Sequence, residues 1–208
     1  MNFTAQSVWE MTKLFVRDPK DASERVIAAG LPVNVSVLML VLAGVMSGVM
    51  AAVSVALYGT RTLTMQLPDG SEQVIEQASP LMTGAFSVLA GLGFAYFVYW
   101  VGTRSSGQGG LPQVLSVIAT WQIAMTVLGV MAVLLDMLLP LAGFAMAVFV
   151  IVVSVRALVV GVQTVHEFEG AGRALMVILA ALIVLFFVLM IVTAMFGPML
   201  IQEVSNEL

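Results

Sequence analysis

The chain has 208 residues, 61% hydrophobic and 10% charged, with a mean hydropathy of +1.07 and a net charge of −4. Soluble domains carry about 25% charged residues, so composition excludes a water-soluble globule and indicates an integral membrane protein with the lipid bilayer as its first partner. The acidic balance without a basic patch argues against nucleic acid, and the lack of cysteine excludes disulfides, thiolate metal sites and cysteine nucleophiles.

Residues 1–30 form a polar, mixed-charge segment ahead of the membrane domain, residues 31–208. Val8, Met11 and Phe15 share one helical face, with Lys13 and Arg17 on another. Two readings fit this pattern: an interfacial helix with its apolar face in the headgroups, and a helix packed on the cytoplasmic ends of the bundle. A second short helix is predicted from Asp18 as N-cap, Pro19 at the first helical position and Asp21 in the first turn, ending at Gly30. No cleaved signal peptide is expected. The first apolar run begins near Pro32, behind acids and bases, and is too long for a signal core.

Five segments reach the roughly 20 apolar residues a helical span needs: 33–57, 80–101, 113–135, 141–163 and 174–196. Backbone groups in lipid must be paired internally, so each is a helix. The predicted fold is therefore an all-α, five-span transmembrane helical bundle. Gly44 and Gly48 form a GxxxG in the first span, extended by Ala52, and Gly143 with Ala147 repeats the theme in the fourth. Such faces let helices approach closely, either within the bundle or in a homodimer. Between the first two spans, Leu63, Met65 and Leu67 alternate with polar residues before Pro68-Asp69-Gly70, which predicts a small extracytoplasmic β-hairpin. Pro140 separates the third and fourth spans so briefly that they should pair as a tight antiparallel hairpin. Lys13, Arg17, Lys20, Arg25, Arg104 and Arg173 fall on one side and Arg61 on the other. The positive-inside rule then puts the N-terminus in the cytoplasm and the C-terminus outside.

Candidate chemistry is sparse. His166, with Glu167 and Glu169, offers metal-binding residue types, but a lone histidine beside acids at a membrane face is expected to be solvated. No P-loop, dinucleotide fingerprint or Ser/His/Asp arrangement is present, and "GTRSSGQGG" lacks the context for phosphate binding, so it is expected to be a flexible linker. The fifteen methionines are scattered and suit gap filling. No catalytic residue, metal or cofactor is assigned. Arg156 stands out in "IVVSVRALVV", roughly 10 Å from Gln163. A charge at helix centre costs about 2.5–3.5 kcal/mol, but the surrounding aliphatics contribute roughly −0.3 to −0.6 kcal/mol each, so the helix still inserts. Trp121 and Gln122 lie at similar depth. With Arg156 they make the candidate intramembrane polar cluster, serving as a structural pin or a recognition point.

The segments "FVRDPKDASERVIAAGLP", "SSGQGGLPQVLSVIATWQ" and "HEFEGAGRALMVILAAL", set around five spans, resemble those of a bacterial member of the Yip-one family, membrane proteins named for binding Ypt/Rab GTPases in eukaryotes. The resemblance covers nearly the whole chain and implies five spans, a cytoplasmic N-terminus and a role through protein–protein contacts. It transfers no residue role. The expected function is a non-enzymatic scaffold or interaction partner of an unidentified membrane or cytoplasmic protein in a bacterial inner membrane. The alternative is a small permease with a polar path near Arg156.

Overall fold

The structure is a computed structural model that describes residues 4–60, 62–66, 72–76 and 78–206. Two short helices, α1 (Ala5–Arg17) and α2 (Pro19–Ala28), precede α3 (Val33–Tyr58), strands β1 (Thr62–Gln66) and β2 (Glu72–Glu76), α4 (Pro80–Arg104), α5 (Leu111–Leu138), α6 (Pro140–His166) and α7 (Ala171–Asn206). Helices α3 to α6 and residues 171–192 of α7 are each long and apolar enough to cross a bilayer.

Local chemistry sets the boundaries. The Thr4 hydroxyl accepts from the Ser7 N–H at 3.1 Å while Ser7 Oγ accepts from the Thr4 N–H at 2.9 Å, a reciprocal cap that starts α1. Asp18 accepts from the Asp21 N–H at 3.1 Å and Pro19 opens α2. Gly30, at φ 57°, then turns the chain toward α3. Strands β1 and β2 pair antiparallel with Leu63 opposite Ile75; the Pro-Asp-Gly turn lies outside the described residues.

Helices α3 and α4 cross at glycines. A Cβ on Gly48 would stand 2.9 Å from the Pro80 carbonyl, one on Gly84 3.0 Å from the Gly44 carbonyl, and one on Gly44 would collide with Val88. The Gly44–Gly48 face is thus filled by α4, as close backbone approach between small residues allows, and is not open to a second copy. Ala52, two turns on, is exposed. Helices α5 and α6 form the tight antiparallel pair, with Gly143 packed on the backbone of Asp136.

The principal core does not stop at the spans. Val26 and Leu31 bury with Val98, Val114, Ile118, Val162 and Val177, so α2 and its exit share one core with α4 to α7. A second cluster joins Phe15, Ala22, Ala124 and Ala157.

Candidate functional site

Helices α1 and α2 form a platform laid across α5 and α6. Phe15 is 1% exposed, Met11 packs into both core clusters and Val8 is half-buried. The apolar face that an interfacial helix would give to lipid therefore faces protein, which corrects that reading in favour of packing on the bundle. Small residues make the docking close: a Cβ on Gly161 of α6 would stand 3.4 Å from Ser23 Oγ of α2. The opposite face carries charges in local pairs, Lys13–Glu10 at 2.7 Å, Lys20–Glu24 at 3.7 Å and Arg25–Asp21 at 2.9 Å. Exposed pairs of this kind contribute about 0–1 kcal/mol each, so they shape the surface more than they stabilise it.

Arg156 belongs to this platform. Its guanidinium donates to the Val16 carbonyl at 3.3 Å. The last four carbonyls of a helix have no partner within it, and Val16 is in the last turn of α1. A cation from α6 thus caps a different helix and meets the negative end of its dipole. The partners expected from depth alone were Trp121 and Gln122. The structure directs them elsewhere: the Trp121 indole N–H donates to the Ser154 carbonyl at 3.1 Å, and the Gln122 amide donates to Ser87 Oγ at 3.3 Å. Each of the three residues is held by a different neighbour.

The depth of Arg156 also changes once α2 is in place. Lipid-facing side chains on α6 run from Leu141 to Val155; beyond Arg156, Ala157, Gly161 and Val162 are buried. Arg156 lies sixteen residues past Pro140, about 24 Å along the helix. Against a hydrocarbon core of about 30 Å, its long side chain reaches the polar boundary by snorkelling. A second marker agrees. Arg104 stacks 3.8 Å over the Trp100 ring, and Trp100 is twenty residues past Pro80, about 30 Å away, where tryptophan favours the interface. By this count Arg156 belongs nearer the polar boundary than the middle of the span.

Gln122 heads a second polar feature. Ser87 Oγ, which accepts from Gln122, donates to Ser47 Oγ at 3.4 Å, and Ser47 donates to the Ala43 carbonyl at 3.0 Å. Gln122 Oε1 lies where a Cβ on Gly91 would come within 2.8 Å. This relay ties α5, α4 and α3 together, and such interhelical bonds in lipid average about 0.6 kcal/mol. It borders a cavity of about 540 Å³ that reaches Leu182 and Leu185 of α7.

His166 overturns the expectation of a solvated loop histidine. It is 1% exposed and stacks on Phe168 at 5.3 Å between ring centroids, while Glu167 and Glu169 remain exposed. Its walls are glycines in the last turn of α4 and in the α4–α5 connection. A Cβ on Gly102 would collide with the ring, and one on Gly107 would come within 2.6 Å of Nδ1. The Gln108 N–H donates to the His166 carbonyl at 3.2 Å. "GTRSSGQGG" is therefore a glycine collar fitted around an imidazole, and its glycines provide close approach. Among the described residues no group of His, Cys, Asp and Glu suits a metal ion.

Comparison with known proteins supplies the last observation. No curated protein and no solved structure matches the chain. The family model described as the Yip1 domain matches residues 13–192. That match runs from the C-terminal part of α1 through the fifth apolar span, so α2, the five spans and the glycine collar fall within it: the chain belongs to the Yip1 domain family.

Proposed function

We propose that the protein is a non-enzymatic membrane scaffold that presents the outer face of α1 and α2 to a protein partner. One observation carries this reading. The N-terminal helices share a core with the spans, so their charged face is held in fixed relation to the membrane surface. A rigid charged face spares a partner the cost of ordering it. In this reading residues 1–30 are a cytoplasmic platform on a membrane domain of residues 31–208. The chain lies in a bacterial inner membrane with its N-terminus inside, and the β1–β2 hairpin and C-terminus project outside. The partner and any homodimer contact then use surfaces other than Gly44–Gly48.

A photo-crosslinker at Ala28, exposed on α2, in native membranes tests this. A discrete captured protein, lost when both Lys20 and Glu24 are charge-reversed while membrane insertion is unchanged, supports it. Capture that ignores the reversal overturns it.

A second reading, a small permease, draws on the cavity of about 540 Å³ edged by Ser47, Ser87, Trp121 and Gln122. Arg156 does not line it. Solute flux in proteoliposomes that falls on Gln122→Leu would favour this reading over the scaffold.

A further inference from the structure

Two cations at the membrane boundary stand apart from the local charge pairing of the platform. Lys13, Lys20 and Arg25 each have a carboxylate one turn away. Arg17 and Arg156 take part in no ion pair among the described residues, although the chain has more acids than bases. Arg156 donates to the carbonyl of Val16, and Arg17 is the next residue of α1, so the Arg156 guanidinium lies against the backbone that carries Arg17. Two guanidinium groups that approach without an acid repel each other, and an anion bridging them removes that cost.

Arg17 also lies on a groove. A cavity of about 210 Å³ runs between α1, α5 and α6. Lys13 and Arg17 edge it from α1; Leu128 and Met131 of α5 and Met146 and Phe149 of α6 form its apolar wall. Met131 and Phe149 are exposed, and Phe149 sits two turns from Arg156 toward the membrane interior. The feature is amphipathic: cations at the polar boundary and an apolar channel leading into the hydrocarbon. A soluble anion would use the cations alone, and a neutral lipid the wall alone.

We propose that this groove binds one anionic phospholipid, its phosphate held between Arg17 and Arg156 and an acyl chain laid along Leu128, Met131 and Phe149. The guanidinium fork suits a phosphate's paired oxygens. Seated there, the lipid closes the seam between α1 and the spans on the side that Phe15 does not fill. This differs from general attraction to an anionic surface, which every boundary cation shares, Arg104 included.

The test uses the full chain purified in a neutral detergent, with phosphatidylglycerol and phosphatidylcholine of identical acyl chains as probes and native mass spectrometry as the readout. One phosphatidylglycerol should be retained in preference to phosphatidylcholine. Arg17→Gln should weaken retention by about fivefold, the attraction of one boundary cation, and Arg104→Gln should leave it unchanged. Met131→Trp, which fills the groove but keeps both cations, should also weaken it. Arg17 carries the decisive arm, because its exposed side chain leaves the fold intact on replacement; Arg156→Lys preserves the cap on α1 and should cost less than Arg17→Gln. Equal retention of the two lipids overturns the proposal, as does equal loss in Arg17→Gln and Arg104→Gln. Displacement of the lipid by inorganic phosphate at millimolar concentration overturns it in favour of a simple anion site.

Discussion

The two ends of the bundle are built differently. At the α1–α2 end, α5 and α6 are covered: Ser116, Thr120 and His166 are buried and the last turns of α6 lie beneath α2. At the hairpin end the same two helices finish bare, with Leu138, Leu139 and Leu141 61–83% exposed. A polar contact between spans there is the bond from the Tyr58 hydroxyl to Asp136 at 3.1 Å. One end is a packed protein layer. The other presents its helix ends to the surroundings. Side chains that look alike in sequence are therefore under unlike constraint, and substitutions should separate the two ends.

The largest effect belongs to the covered end. Phe15→Ala empties a fully buried site and should cost about 3–5 kcal/mol, seen as a lower unfolding temperature and as rapid proteolysis of α1 while the spans stay intact. If α1 stays protected, Phe15 does not pin the platform. Next is Gly102→Val, which pushes a side chain into His166. Overpacking of this kind costs about 1–3 kcal/mol, and pairing it with His166→Ala should restore part of the loss if collar and imidazole are in contact. Gln122→Leu, between the two ends, should cost about 0.6 kcal/mol through the broken relay, with Ser87→Ala nearly silent in that background by double-mutant cycle. The smallest effect is Tyr58→Phe at the bare end, expected at about 0.5 kcal/mol or less because the bond is exposed. A Tyr58→Phe loss as large as that of Phe15→Ala would erase the contrast between the ends.

Much of this was legible in the sequence. Length and hydropathy define the spans to within a few residues because lipid leaves the backbone few options. Asp18-Pro19 and Gly30 delimit α2 because caps act locally. Trp121 does meet α6 close to Arg156, at the Ser154 carbonyl. What sequence could not supply was direction. Which neighbour Arg156 meets depends on α1 folding back over α6, a contact between residues 140 positions apart. His166 misled for the same reason. Beside two glutamates it looks solvated, and only the return of the α4–α5 glycines encloses it. The glycine-rich stretch held a usable signal, since glycine serves close approach as well as flexibility, but its target lay on another helix. The Gly44–Gly48 face showed the right chemistry and left the identity of its occupant open.

The central claim is that α2 is docked on α6. The natural chain has no cysteine, so an engineered pair is read without background. A Cβ at position 161 would stand 3.4 Å from Ser23 Oγ, the place a cysteine sulfur would take, so the two side chains are within disulfide reach. Ser23→Cys with Gly161→Cys should crosslink under mild oxidation in native membranes about as completely as Ser47→Cys with Ser87→Cys, whose hydroxyls are 3.4 Å apart inside the bundle. Efficient crosslinking of the Ser47–Ser87 pair with none at Ser23–Gly161 would contradict the docked platform and the account built on it.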